Sequence, residues 1–347
     1  MNKKIFIGGT GRSGTTILSR YLNSHQDICK IPVESRFIVD KGGMIDLFYS
    51  LSRNYSIDQS RIALQNFYDL MIHHVNEPYN SPYLGHNFFK TFGEQLYLTQ
   101  FNKFFRELHH GKFNGSDYQT KDRVRVVHFI VRKYLKTINR YYSKLNRKFF
   151  GTNKNLPFWG WPQEDMFIGK YFPDENHLLK MMGDFINTLF SSLSASRGKT
   201  HWCEDTPANI LHMDFLSSLF EKSYFLHIVR NPIGVAYSMK KQIWAPSNYQ
   251  QITEFLSNIY EKLIRMEDYA QRQKFKYMRV RLEDLHFLDT QNKLFSFLDI
   301  ENTLDGSVEI QKSKVNYYKD LIMDQDLALL QSNLSKYIYY FGYELNA

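Results

Sequence analysis

Lys4-Ile-Phe-Ile-Gly-Gly-Thr-Gly-Arg-Ser-Gly-Thr-Thr-Ile-Leu-Ser-Arg-Tyr-Leu22 is the stretch on which the fold turns. Ile5, Phe6 and Ile7 make a short apolar run suited to a buried strand. Gly8, Gly9, Gly11 and Gly14 then allow sharp backbone turns, and Ile17, Leu18, Tyr21 and Leu22 recur at helical spacing until Asn23-Ser24-His25 ends the helix. A glycine loop between strand and helix aims several backbone N–H groups outward at a helix N-terminus. The partial positive charge of the helix dipole adds to them, so the natural guest is an oxyanion such as phosphate.

The spacing from Gly9 to Gly14 is that of a P-loop. A nucleotide triphosphatase would place Lys next, whereas Thr15 and Thr16 follow here. The cation stands earlier, as Arg12, whose planar guanidinium can hold an oxyanion through two parallel hydrogen bonds. A second run, Ser223-Tyr-Phe-Leu-His-Ile-Val-Arg230, reads as a buried strand ending in a cation. Asn231-Pro232 then starts a helix that carries Ser238. Arg230 and Ser238 can converge on one phosphate, the guanidinium supplying charge and the hydroxyl a further hydrogen bond.

Gly-Thr-Gly-Arg12-Ser-Gly-Thr-Thr resembles the 5′-phosphosulfate loop of sulfotransferases that use 3′-phosphoadenosine-5′-phosphosulfate (PAPS), and Arg230 with Ser238 resembles their 3′-phosphate site. Leu22-Asn-Ser-His25-Gln-Asp-Ile and Glu34-Ser-Arg36 are most similar to the tyrosylprotein and carbohydrate branch. The resemblance covers roughly residues 1–40 and 199–345. It implies an α/β fold with a parallel β-sheet flanked by helices, the P-loop nucleotide-triphosphatase-like sulfotransferase fold, carrying a large helical insertion. It implies PAPS as sulfuryl donor, adenosine 3′,5′-bisphosphate as product, no metal, and an acceptor hydroxyl on a protein tyrosine, a carbohydrate or a small molecule.

The implied roles fall on particular residues. Gly11, Arg12, Ser13, Gly14, Thr15 and Thr16 cradle the 5′-phosphosulfate, and Arg12 stabilises the leaving phosphate. Arg230 and Ser238 hold the 3′-phosphate. Glu34 matches the carboxylate that takes the acceptor proton, and Arg36 the neighbouring Arg that helps place the reacting groups; Asp205 and His201 are the next groups to consider for the proton. Ser313-Lys314-Val-Asn-Tyr317-Tyr-Lys319 resembles the loop covering the nucleotide, which makes Lys314 and Tyr317 donor contacts. His201-Trp-Cys-Glu-Asp-Thr-Pro207 resembles a Glu-Lys-Thr-Pro segment, with Asp205 where relatives place a Lys at the leaving oxygen, so either another cation replaces it or the chemistry differs.

The chain has 347 residues, 43% of them hydrophobic, enough for a substantial core, and 44 Lys and Arg against 35 Asp and Glu give a net +9 that favours acidic ligands. Cys29 and Cys203 make no disulfide framework and fit no metal pattern, so both are expected as buried thiols. The first strand starts near residue 3 and no apolar run reaches the ~18 residues of a membrane span, so a cytoplasmic location is expected. One domain is expected, with its core at 1–40 and 199–347 and an aromatic-rich helical insertion at about 41–198 that binds the acceptor.

Within the insertion, residues 121–150 hold ten Lys or Arg and one Asp on an amphipathic helical pattern. That is either a solvated face over the core or a surface for an acidic peptide or polysaccharide, with nucleic acid and membrane less favoured. Trp159 and Trp161 either pin a loop to the core or line an acceptor pocket. Two other functions compete with sulfuryl transfer. One is a P-loop phosphotransferase, disfavoured by the missing Lys and by a strand ending in Arg230 where a metal-holding Asp is expected. The other is a non-catalytic nucleotide- or polyanion-binding protein.

Overall fold

The computed structural model describes residues 2–32, 34–74, 87–115, 134, 137–138, 140–141, 164–304 and 321–345. In chain order its strands are β1 (Lys4–Gly8), β2 (Ile28–Lys30), β3 (His109–Gly115), β4 (Glu164–Gly169), β5 (His201–Glu204), β6 (Ser223–Val229) and β7 (Lys276–Arg281). The helices are α1 (Thr15–Asn23), α2 (Met44–Leu51), α3 (Ile57–Asp69), α4 (Phe88–Phe92), α5 (Glu94–Glu107), α6 (Glu175–Ser196), α7 (Met213–Leu219), α8 (Pro232–Lys240), α9 (Tyr249–Gln273), α10 (Leu288–Leu298) and α11 (Asp324–Tyr340).

Five strands pair side by side in the order β2-β5-β1-β6-β7, and every pairing is parallel. The expected parallel sheet flanked by helices is therefore present. From β1 the chain runs to β2 on one side, and from β6 to β7 on the other. The connections diverge between β1 and β6, which opens a crevice at the carboxyl ends of those two strands, where parallel sheets take ligands. The glycine loop leaves β1 there, and Arg230 follows β6 at the same edge.

Strand periodicity sorts the core. Phe6 faces one side with Trp202 and Phe225, while Ile5 and Ile7 face the other with Leu18, Leu22, Leu226 and Ile228. The first side also receives the helices of the 41–198 stretch. Phe190 on α6 meets Trp202 edge-on at 5.0 Å between ring centroids, and Phe92 stacks on Phe190 at 6.0 Å. The sheet and these helices share one apolar cluster.

That stretch is not purely helical. β3 and β4 pair antiparallel, with a register shift between His109 and Lys112. His109-His-Gly-Lys-Phe-Asn-Gly115 shows no apolar alternation, so periodicity gave no sign of a strand. Cys29 and Cys203 are free and buried, as expected. Among the described residues no helix is long and apolar enough to cross a membrane.

Candidate active site

The glycines of the loop are required by contacts. A Cβ on Gly9 would lie 2.3 Å from the Ile228 carbonyl oxygen, and one on Gly14 2.9 Å from Leu282. Gly14 adopts φ +106° and Arg12 φ 74°, a left-handed conformation that a residue with a Cβ rarely takes. Two bonds fix the turn: the Gly9 N–H donates to the Pro207 carbonyl at 2.9 Å, and the Ser13 hydroxyl donates to the Thr10 carbonyl at 2.8 Å. Ser13 is thus buried inside the loop, while Thr16 is exposed. α1 begins after Gly14 with no side-chain cap and no acidic residue in its first turn. That uncapped first turn suits an anionic group seated on Gly14, Thr15 and Thr16.

Across the crevice, the Arg12 Nε donates to the Ser238 Oγ at 3.0 Å. The two proposed anion sites, 226 residues apart in sequence, are therefore in direct contact. Arg230 and Ser238 are both buried. Asn231 caps α8 by accepting from the Ile233 N–H, and Pro232 fills the first helical position. Glu283, in the turn after β7, accepts from the Asn231 N–H at 3.0 Å and from the Tyr343 hydroxyl at 2.6 Å, fixing the turn that carries Arg230. Tyr260 is buried on α9 with Thr10 and Arg230 both close enough to act on its hydroxyl, although burial dominates and raises its pKa. The Trp244 ring lies over Gly11, where an added Cβ would approach it to 3.2 Å.

On the opposite side of the loop, the carboxyl ends of β2 and β5 carry a cluster of charge. Glu34 follows β2. Burial first, then the Asp205 carboxylate, raises its pKa above the ordinary 4.5, against Arg36 and Lys30, which lower it. Lys30 Nζ is 2.9 Å from Asp205 Oδ1, and Ser19 of α1 donates to Asp205 Oδ2 at 2.6 Å. Where the Glu-Lys-Thr-Pro resemblance would put a Lys, Asp205 stands paired with Lys30 of β2. Arg36 donates to Asp40 at 2.6 Å, and its side chain is exposed.

Topology adds what the order of motifs along the chain does not show. The strand beside β1 on this side, β5, is followed by a carboxylate, so a strand-end acid does sit near the loop. Both acids there are committed to protein partners: Asp205 to Lys30 and Ser19, and Glu204 to Ser35, Thr206 and Asn209. His201, considered as a second proton acceptor, lies at the amino end of β5, where its Nδ1 accepts from the Lys3 N–H at 3.2 Å. It is at the wrong edge of the sheet to serve the site.

Lys314, Tyr317, Trp159 and Trp161 lie outside the described residues, as does most of the basic stretch 121–150. Of that stretch Tyr134, Thr137, Ile138, Arg140 and Tyr141 are described, and all are helical and exposed. Lys30, Glu204, Glu283 and Tyr260 lie beside the candidate site, and motif reading did not single them out. A buried-looking Glu-Asp pair at a strand end and the Lys closing β2 were the available signals.

A glycine loop bearing an arginine at the switch point of a parallel sheet, with a second arginine one strand away, defines a P-loop-like α/β protein. A family model, the sulfotransferase family, matches residues 116–303, more than half of the chain, and the chain belongs to that family. The match includes Glu204, Asp205, Arg230 and Ser238. Among solved structures the chain is similar to the sulfotransferase domain from the curacin biosynthetic pathway (14% identity, 99% of each chain covered, TM-score 0.45). It is also similar to a sulfotransferase from Mycobacterium avium (11% identity, 100% of this chain and 78% of that one, TM-score 0.40). A third is the sulfotransferase domain of the Synechococcus PCC 7002 olefin synthase (12% identity, 99% of this chain and 95% of that one, TM-score 0.44). No curated protein matches the chain.

Proposed function

We propose that this sulfotransferase takes its sulfuryl group from PAPS and delivers it to an acceptor hydroxyl. The observation that carries the reading is the Arg12–Ser238 hydrogen bond, which joins the glycine loop to the helix following Arg230 across the β1–β6 crevice. Groups so placed suit one ligand with negative charge at both ends. PAPS, when bound, supplies a sulfuryl group on a phosphate leaving group.

The chain's own residues then divide the work. Arg12 and the N–H groups of Gly14, Thr15 and Thr16 hold the 5′ oxyanions and offset the charge that grows on the leaving oxygen. Arg230 and Ser238 hold the 3′-phosphate, with Glu283 keeping their turn in place. Glu34 sits two strands from the loop on the other side, roughly 10 Å at ordinary strand spacing. From there it takes the proton of an acceptor entering opposite the leaving group, the arrangement an in-line displacement needs. Its raised pKa brings its basicity closer to neutrality, which suits a general base. Lys30 supplies the positive charge that relatives carry at the position of Asp205. In this reading Lys314 and Tyr317 are further donor contacts, and Arg36 helps place the reacting groups.

The Glu34-Ser-Arg36 match favours tyrosine as acceptor, and the 41–198 stretch is the segment available to bind it. The test is transfer of labelled sulfate from PAPS to acidic tyrosine peptides, polysaccharides and small phenols, with Arg12→Ala and Arg230→Ala as controls. Label on at least one acceptor, lost in both variants, is the expected result. Metal-dependent ATP turnover with no transfer would favour the phosphotransferase instead. Bisphosphate binding with no transfer to any acceptor would favour a binding protein.

A further inference from the structure

Glu204 is fully buried at the end of β5, between the glycine loop and the segment that carries Glu34. Its Oε1 accepts from the Ser35 N–H at 2.7 Å, the Thr206 N–H at 3.1 Å and the Thr206 hydroxyl at 2.5 Å. Its Oε2 accepts from Asn209 Nδ2 at 2.5 Å. The same Asn209 amide donates to the Ile7 carbonyl of β1 at 3.0 Å, and the Pro207 carbonyl between them accepts from the Gly9 N–H at 2.9 Å. One carboxylate is therefore bonded to the residue after Glu34 and, through a single turn, to both sides of the Gly8 backbone.

We infer that Glu204 is a positioning residue: it sets Glu34 against the glycine loop by holding the Ser35 amide in register with the 206–209 turn. The inference rests on Glu34 being the base. Burying a carboxylate with no cation among its hydrogen-bonding partners is costly, and a purely structural role would be served by apolar packing. All four contacts come from donors, an arrangement that suits the ionised acid. Burial and Asp205 push the carboxyl up to about 7, while the bonds from Asn209, Thr206 and Ser35 act the other way. Ser35 is itself fully buried, so its backbone has little freedom once the amide is held. The neighbouring Glu34 inherits that constraint.

The test compares Glu204→Ala and Glu204→Gln with the wild-type chain in three measurements. These are hydrogen-exchange protection of the Ser35 amide, affinity for adenosine 3′,5′-bisphosphate, and kcat for transfer from PAPS, the last repeated in a Glu34→Gln background. In the Ala variant, Ser35 protection should vanish and kcat should fall about ten- to a hundred-fold, the scale of a small misplacement. The Gln variant keeps the shape and one carbonyl acceptor, so both losses should be smaller. Bisphosphate affinity should stay within about two-fold, and in the Glu34→Gln background neither change should slow the residual rate further, because the two residues act as one unit. Unchanged Ser35 protection in the Ala variant, or a full multiplicative loss on top of Glu34→Gln, would overturn the inference. An unaltered rate in Glu34→Gln alone would instead overturn the base assignment beneath it, with the Ser35 protection still deciding the clamp.

Discussion

Arg12 combines two features rarely found together: a left-handed backbone, φ 74°, and a side chain tied to Ser238. For a residue with a Cβ that conformation costs roughly 1–2 kcal/mol, so the loop tolerates strain in order to hold a guanidinium there. Arg12→Gly should relieve it. Thermal or denaturant unfolding should show a gain of up to ~1 kcal/mol, while transfer falls by about a hundred-fold or more. A variant that is both destabilised and active would refute this assignment. Glu204 supplies the pH test. Its folded pKa of about 7 lies above the ordinary 4.5, so between those values the native state binds more protons than the unfolded one, and this contribution to stability falls as pH rises. The Tm of Glu204→Gln minus that of the wild type should therefore increase from pH 4.5 to 7; a decrease would show that the folded chain favours the ionised acid. The contact between Arg12 and Ser238 was foreshadowed because each residue belongs to a local motif. The Glu204–Ser35 bond and the Lys30–Asp205 pair join residues 169 and 175 positions apart, and no local pattern announces them.

Among elements, those whose apolar spacing matched one period were readable. β1 and β6 are near-continuous apolar runs because helices cover both faces of the sheet, and α8 announced itself through Asn231-Pro232. β3 and β4 were not, since a two-stranded ribbon with exposed Lys112, Phe113 and Ile168 lacks the alternation that a half-buried strand shows. The turn after β7 reaches the candidate site: Glu283 ties the Asn231 amide to Tyr343 near the chain's end. Glu283→Ala should leave Arg230 in place but loosely held. Affinity for adenosine 3′,5′-bisphosphate, measured by calorimetry, should drop about ten-fold, the scale of a charge-assisted hydrogen bond. Unchanged affinity would return Glu283 to a role in folding alone.

At the scale of the molecule, the carboxyl edge of the sheet lays out the chemistry in strand order. Glu34 follows β2, Glu204 and Asp205 close β5, Arg12 follows β1, Arg230 follows β6 and Glu283 follows β7. The crossover order that builds this sequence brings the two proposed anion sites together and leaves Glu34 on the far side of the loop. That layout makes a quantitative demand on ligand choice. The most direct measurement is the affinity of the wild-type chain and of Arg230→Ala for adenosine 3′,5′-bisphosphate and for adenosine 5′-phosphate. The wild type should prefer the bisphosphate by about a hundred-fold, and the substitution should erase most of that preference while barely changing affinity for the monophosphate. Equal binding of the two nucleotides by the wild type, or a preference that survives the loss of Arg230, would contradict a single donor held across the β1–β6 crevice.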